Sequence, residues 1–194
     1  MAIQERSLAT RAALLDAAIE CLVQRGYTAT TTAEIARRAG VSRGAQQHHF
    51  PAKALLLATA VEHLFARMEF LDAFAALDPI ADRLDAALDL LWSMFEGPAF
   101  IAWTELWVAA RTDPKLAETV VAVERRFTDE TRALFAELFP PPPDADALVY
   151  GIARDFAFAL LQGVALQRMF PRGERPASDY VDALKTVFRL AGLK

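Results

Sequence analysis

TTAEIARRAGVSRGAQQHHFPAK, residues 31–53, is the stretch that decides the fold of this chain. Thr31 and Glu34 have the spacing of a capping box: the threonine hydroxyl can take the N3 amide and the glutamate can reach back. Ile35, Ala36 and Ala39 supply the buried side of a short helix, Thr31 to Ala39. Gly40 falls where the chain must turn sharply, and Val41 plugs the corner. Ser42 then caps a second short helix that runs to about Phe50. Two short helices joined by a tight glycine-containing turn make a helix-turn-helix. The second helix of such a unit enters the major groove of DNA and turns its N-terminal residues toward base edges.

Upstream, Leu8, Ala12, Leu15, Ile19 and Leu22 recur at spacings of four and three and form one face of a first helix, which Gly26 stops. Downstream, helical periodicity continues almost without interruption. The expected helices are Pro51 to about Phe74, Asp82–Phe95, Pro98–Arg111, Pro114–Phe139, Asp144–Phe170 and Ser178–Ala191. Proline marks the breaks between them, because it fits a helix's first turn and ends the helix before it. There is no repeat, no low-complexity tract and no strand alternation. The expected fold is all-α, about nine helices: an N-terminal three-helix unit joined by a long fourth helix to a helical bundle.

Of the 194 residues, 54% are hydrophobic, enough for a sizeable core and too many for a disordered tail. A single cysteine, Cys21, excludes an intrachain disulfide and agrees with a cytoplasmic location. Its plain reading is a small buried residue. The N-terminus, MAIQERSLATRAALLD, lacks the apolar run of a signal peptide. The most apolar long stretch, Ala147 to Phe170, carries Arg154, Asp155, Gln162, Gln167 and Arg168, so it reads as a buried or interface helix and not as a membrane span. A net charge of −4 at first argues against nucleic acid, but its distribution reverses the argument. Residues 1–53 hold seven Lys/Arg against four acids, whereas the remainder holds 14 against 21. A basic head on an acidic body suits a chain that holds DNA at one end.

Other chemistries lack their signatures. No nucleophile elbow, metal set or phosphate-binding glycine loop is present, so neither an enzyme nor a cofactor is expected. The neighbours His48 and His49 point about 100° apart on a helix and do not chelate together. Phosphate contact or packing accounts for both.

Residues 31–53, with the helix ending QRGYTAT before them, resemble the tetracycline-repressor (TetR) family of bacterial regulators. The likeness of motif covers Leu8 to about Leu64; beyond it, only the nine-helix layout and the length match. The resemblance implies a DNA-binding domain over residues 1–53 and a helical ligand-binding and dimerisation domain over residues 54–194. It also implies roles. Thr32 looks like a phosphate contact, with Ser42 capping the helix that Arg43 and Gly44 open toward the groove. Gln47 stands where the family often has a groove-facing tyrosine. His49 and Lys53 match positions that touch the DNA backbone, and His48 lies beside them. By chemistry, Arg43 can pair with guanine and Gln47 can read adenine. A cation in the first turn of helix four, where Lys53 falls, is disfavoured by the helix dipole unless a phosphate lies there. Gln46 departs from the family's apolar packing residue: either its amide is satisfied locally or the helix is slightly rotated.

For the body, the resemblance implies a pocket for a small apolar or aromatic effector. Trp92, Phe95, Trp103, Trp107 and Phe156 are the candidate lining; core packing is the alternative reading. Helix eight is apolar on two sides: Val149, Ile152, Phe156, Ala159, Gly163 and Leu166 on one, Tyr150, Ala153, Ala157, Leu161 and Val164 on the other. The expected homodimer interface takes Ile152, Phe156, Ala159 and Gly163 from it, with Leu184 and Phe188 from helix nine. The competing reading is burial within one subunit. The expected function is a DNA-binding transcriptional regulator, a ligand-responsive repressor that holds a pseudo-palindromic operator as a dimer. Its rivals are a regulator answering to a protein partner or to nothing, and a helical enzyme.

Overall fold

A computed structural model describes residues 2–66, 83–138, 147–170 and 175–190. Among the described residues the regular elements are nine helices: α1 (Ala2–Ala29), α2 (Thr32–Arg38), α3 (Arg43–His49), α4 (Lys53–Ala66), α5 (Arg83–Ser93), α6 (Pro98–Ala110), α7 (Pro114–Leu138), α8 (Ala147–Arg168) and α9 (Ala177–Leu190). The expected continuation of helix four to Phe74 and the proline breaks at 78–79, 140–143 and 171–174 lie outside the described residues.

The chain divides into two compact units. One comprises Met1–Met68 with Pro98–Asp129. Its core joins Leu14, Leu15, Ala18, Cys21 and Leu22 of α1 to Ile35, Phe50 and the α4 residues Leu56, Leu57, Ala60 and Val61. Ala102 and Leu106 of α6 and Leu116 and Val120 of α7 complete the same core. A leucine buried to this degree contributes about 1.5–3 kcal/mol, so the helix-turn-helix is held from behind by α6 and α7 as well as by its own helices. Burial also pushes the Cys21 thiol above its usual range, which suits an inert core residue.

The first helix differs from the expectation at its start and meets it at Gly26. Leu8, assigned to its buried face, is 61% exposed, because the first turns of α1 project past the packed core. At the other end Gly26 breaks the helix with φ 71° and ψ 173°, and a short turn follows before α2. The buried Thr30 closes that turn: its hydroxyl donates to the Gly26 carbonyl at 2.7 Å.

The second unit comprises Glu69–Gly97 with Glu130–Lys194. Here α9 packs on α5 and α8. Leu84 and Leu88, Ala157, Leu161 and Val164, and Val181, Leu184 and Phe188 are all buried. Lys185 pairs with Asp89 at 2.6 Å and Arg189 pairs with Asp85, fastening α9 to α5. α8 is long and apolar enough to cross a membrane by length and composition. It nevertheless carries Arg154 and Asp155, which pair with each other at 2.8 Å, and Asp155 also meets Arg132 of α7 at 3.6 Å.

Candidate nucleic-acid interface

The turn between α2 and α3 is built as the local sequence dictates. Thr31 is extended, with φ −123° and ψ 150°, and its hydroxyl accepts the Glu34 N–H at 3.2 Å. At the far end of α2, Gly40 adopts φ 66°. The Gly40 N–H donates to the Arg37 carbonyl at 3.2 Å and the Val41 N–H to Ala36 at 2.9 Å. This crossed pair is the Schellman closure, which favours glycine at that position. Val41 packs on the core, as a corner plug must. Ser42 caps α3 by accepting the Ala45 N–H at 3.2 Å.

α3 then shows two sides. Gln46 and Phe50 are buried, while Arg43, Gly44, Gln47 and His48 are exposed and share one strip. Ser42 is exposed beside them, and Thr32 and His49 are half-buried. The ambiguity at Gln46 resolves locally: its side-chain amide donates to the Phe50 carbonyl at 2.7 Å and satisfies a group that the helix end leaves open. Arg11 of α1 lies over the Phe50 ring, 5.5 Å from its centroid, behind the same helix end. A capped, back-braced helix presenting an arginine, an amide and an imidazole on one face can offer donors and acceptors to base edges.

Glu34 does something other than the expected reach back to Thr31. Its carboxylate takes the Arg37 side chain through two hydrogen bonds, at 2.9 and 2.8 Å, and meets Arg25 of α1 at 3.3 Å. The Arg37 hydrogen bonds are the main reason its pKa falls to about 2. A depressed carboxylate stabilises the fold above its unfolded value, near 4.3, and loses that contribution as pH falls toward 2. Thermal unfolding should show it: between about pH 4.3 and 2 the wild type should lose more melting temperature than Glu34→Gln does. Equal losses would mean that the arginines do not hold this carboxylate in solution.

Lys53 occupies an unexpected position. Its ammonium donates to the Tyr27 carbonyl at 2.6 Å and sits over the Tyr27 ring, 4.1 Å from the centroid. Sequence reasoning missed this arrangement and its other members, Glu105 and Asp113. Asp113 did leave a signal, since an Asp before Pro114 is a helix start. Glu105 left none.

The family model for bacterial regulatory proteins of the tetR family matches residues 14–60. An HTH-type transcriptional regulator of Mycobacterium bovis is 41% identical over 145 residues, which span 71% of this chain and 74% of that protein. The chain belongs to the TetR family. It is a transcriptional regulator of the helix-turn-helix class. Solved structures of the same fold include a transcriptional regulator of Pseudomonas aeruginosa PAO1, with TM-score 0.72, 24% identity, 91% of this chain and 86% of that one. A second is the multidrug binding protein EbrR complexed with proflavin, with TM-score 0.59, 22% identity, 91% and 98%.

The TetR-type residues expected in the body are distributed unevenly. Trp92 and Phe95 are buried in the second unit, with ring centroids 6.4 Å apart. Phe95 meets Phe158 edge to face at 5.2 Å, and the Arg168 guanidinium lies 5.7 Å from the Trp92 ring. Trp103 and Trp107 instead belong to the first unit, where Trp103 packs on the core and Trp107 is exposed. Phe156 is exposed on α8 and lines no interior of its own unit.

Among the expected interface residues, Ile152, Phe156 and Ala159 are exposed and Gly163 is half-buried. Leu184 and Phe188 require a correction. They are 2% and 4% exposed, packed inside their own unit, because the apolar stripe of α9 is consumed by α5 and α8. The large apolar residues that α9 leaves exposed are Val187 and Leu190.

Proposed function

We propose that this TetR-family chain is a homodimeric, ligand-responsive repressor that holds a pseudo-palindromic operator through two α3 helices in successive major grooves. The observation that carries the reading is the exposed strip Arg43, Gly44, Gln47 and His48 on a helix capped at both ends. Residues 1–53 supply the DNA contacts, with Thr32, Ser42 and His49 beside the strip. Residues 54–194 supply the effector response and the second copy. Support for the second copy comes from α8, where Ile152 and Phe156 stay exposed while Ala157 and Leu161 are buried. Two-fold symmetry matches a palindrome.

Support for an effector comes from the aromatic cluster around Trp92 and Phe95, and from the binding of proflavin by a protein of the same fold. We place the protein in the cytoplasm, bound to double-stranded DNA, with a small apolar or aromatic effector and no catalytic role. An effector can release DNA only by binding the non-DNA conformation better. The test is fluorescence anisotropy on a duplex that the wild-type protein selects from random sequence, at several salt concentrations. Tight, steeply salt-dependent binding is expected. Arg43→Ala and Gln47→Ala should each cost about 1–3 kcal/mol of discrimination at one base pair and leave random-sequence binding nearly unchanged. Equal losses on selected and random duplexes would show that α3 does not read sequence.

A further inference from the structure

We infer that Tyr27 is the joint that sets the pose of the helix-turn-helix against α6 and the α6–α7 corner, and that Lys53 serves this joint and not a DNA phosphate. The inference rests on the reading that α2 and α3 bind DNA.

Tyr27 is gripped at every group it offers. Its N–H donates to Glu105 Oε2 of α6 at 3.0 Å. Its carbonyl accepts from Lys53 Nζ at 2.6 Å, and its ring lies under the same ammonium. Its hydroxyl donates to Asp113 Oδ2 at 3.2 Å. The other Asp113 oxygen accepts the Lys115 and Leu116 N–H groups at 3.1 Å each, so this carboxylate caps α7 while it holds Tyr27. The preceding Gly26 makes the approach possible: a Cβ there would lie 2.7 Å from Glu105 Oε2.

Position in the chain gives the joint its leverage. Only residues 28–31 separate Tyr27 from α2, and Thr30 hooks back to the Gly26 carbonyl. Only residues 50–52 separate α3 from Lys53. The entry to α2 and the exit from α3 are therefore both fastened to one residue. That residue is fastened in turn to α6 and α7. Lys53 is half-buried, with its ammonium committed on the carbonyl and the ring. Burial holds its pKa below the usual lysine range, partly offset by Asp113, as expected of a cation facing inward.

The joint acts by positioning. Freeing Tyr27 leaves every DNA-facing side chain in place but makes DNA binding order the head at its own expense. Salt dependence separates this role from phosphate contact, because a lost phosphate contact lowers the slope of log K against log salt by about 0.9. On the duplex selected by the wild type, Tyr27→Phe, Asp113→Asn and Lys53→Met should each weaken binding roughly three- to tenfold at an unchanged slope. The Tyr27→Phe/Asp113→Asn double variant should lose less than the two single losses added together, since both act on the same Tyr27–Asp113 contact. General loosening of the fold would make the losses add. A slope lowered by about 0.9 in Lys53→Met would make Lys53 a phosphate contact after all. Unchanged affinity in Tyr27→Phe and Asp113→Asn would overturn the joint itself. Hydrogen exchange on the free protein supplies an arm that needs no DNA: Asp113→Asn should speed exchange across residues 28–39, and an unchanged rate there counts against the joint. If the wild type selected no duplex, the DNA-binding reading would fail, while the exchange result would still decide whether Tyr27 holds the head.

Discussion

A Gly26→Ala protein should fold less stably than the wild type by about 2–4 kcal/mol. Two effects combine. The backbone at φ 71° and ψ 173° lies in a region that is essentially glycine-only, and a side chain there costs about 1–3 kcal/mol. The new Cβ would also meet Glu105 Oε2 at 2.7 Å. The carboxylate sits at the end of a flexible side chain and can retreat, but only by releasing the Tyr27 N–H, which costs about 1 kcal/mol more. Gly40 is the natural control. It has φ 66° and nothing within 4 Å of an added Cβ, so Gly40→Ala should cost about 1 kcal/mol, from the backbone alone. Urea unfolding at constant m-value measures both. In a Glu105→Ala background the Gly26→Ala cost should shrink toward the Gly40 value, because the collision is gone. Equal costs at the two glycines in the wild type would show that the Glu105 contact is of no consequence.

The contrast between these glycines also explains which parts of the molecule could be read in advance. Everything about Gly40 is local: a helix of seven residues, a Schellman closure, and Val41 and Ser42 following at fixed offsets. Local geometry of that kind is written in neighbouring letters, so the helix-turn-helix and its exposed strip were legible in residues 31–53. Gly26 was legible as a helix stop for the same reason. Its partner Glu105 was not, since Tyr27 and Glu105 stand 78 positions apart and Tyr27 and Asp113 stand 86 apart. Lys53 illustrates the same limit. A lysine opening a helix signals a need for an anion or an acceptor, but the Tyr27 carbonyl and ring that meet it lie 26 positions away and leave no mark beside it. In α9 the apolar stripe Val181, Leu184 and Phe188 was legible, but not what covers it. A stripe looks the same whether its own chain or a second copy lies against it. Gln46 was a departure whose remedy, a bond to Phe50, lay four residues away.

Phe156→Asp should convert a dimer into monomers and reduce operator affinity more than a hundredfold, with the helical fold intact. On α8, Ile152 and Phe156 are 57% and 56% exposed, whereas Ala157, Leu161 and Val164 on the opposite side are buried in their own unit. Burying an isoleucine or phenylalanine contributes about 1.5–3 kcal/mol, and two-fold symmetry would use each residue twice. An aspartate at that place would bring two unpaired carboxylates into the seam, where desolvation opposes association. The loss on DNA exceeds the loss at the seam. A dimer that has placed one α3 holds the other at a high effective concentration over the second half-site, an advantage of about 10²–10⁴ that a monomer lacks. Leu184→Asp is the informative comparison. Leu184 is 2% exposed, packed among α5, α8 and α9, so a charge there should lower the melting temperature of the second unit before it affects assembly. Sedimentation and thermal unfolding on the same samples separate the two: Phe156→Asp should change mass and spare stability, Leu184→Asp the reverse. If Phe156→Asp sedimented as a dimer and bound the selected duplex as the wild type does, the second copy would have to sit elsewhere. The exposed face that remains on α9, Val187 and Leu190, would then be the surface to mutate next.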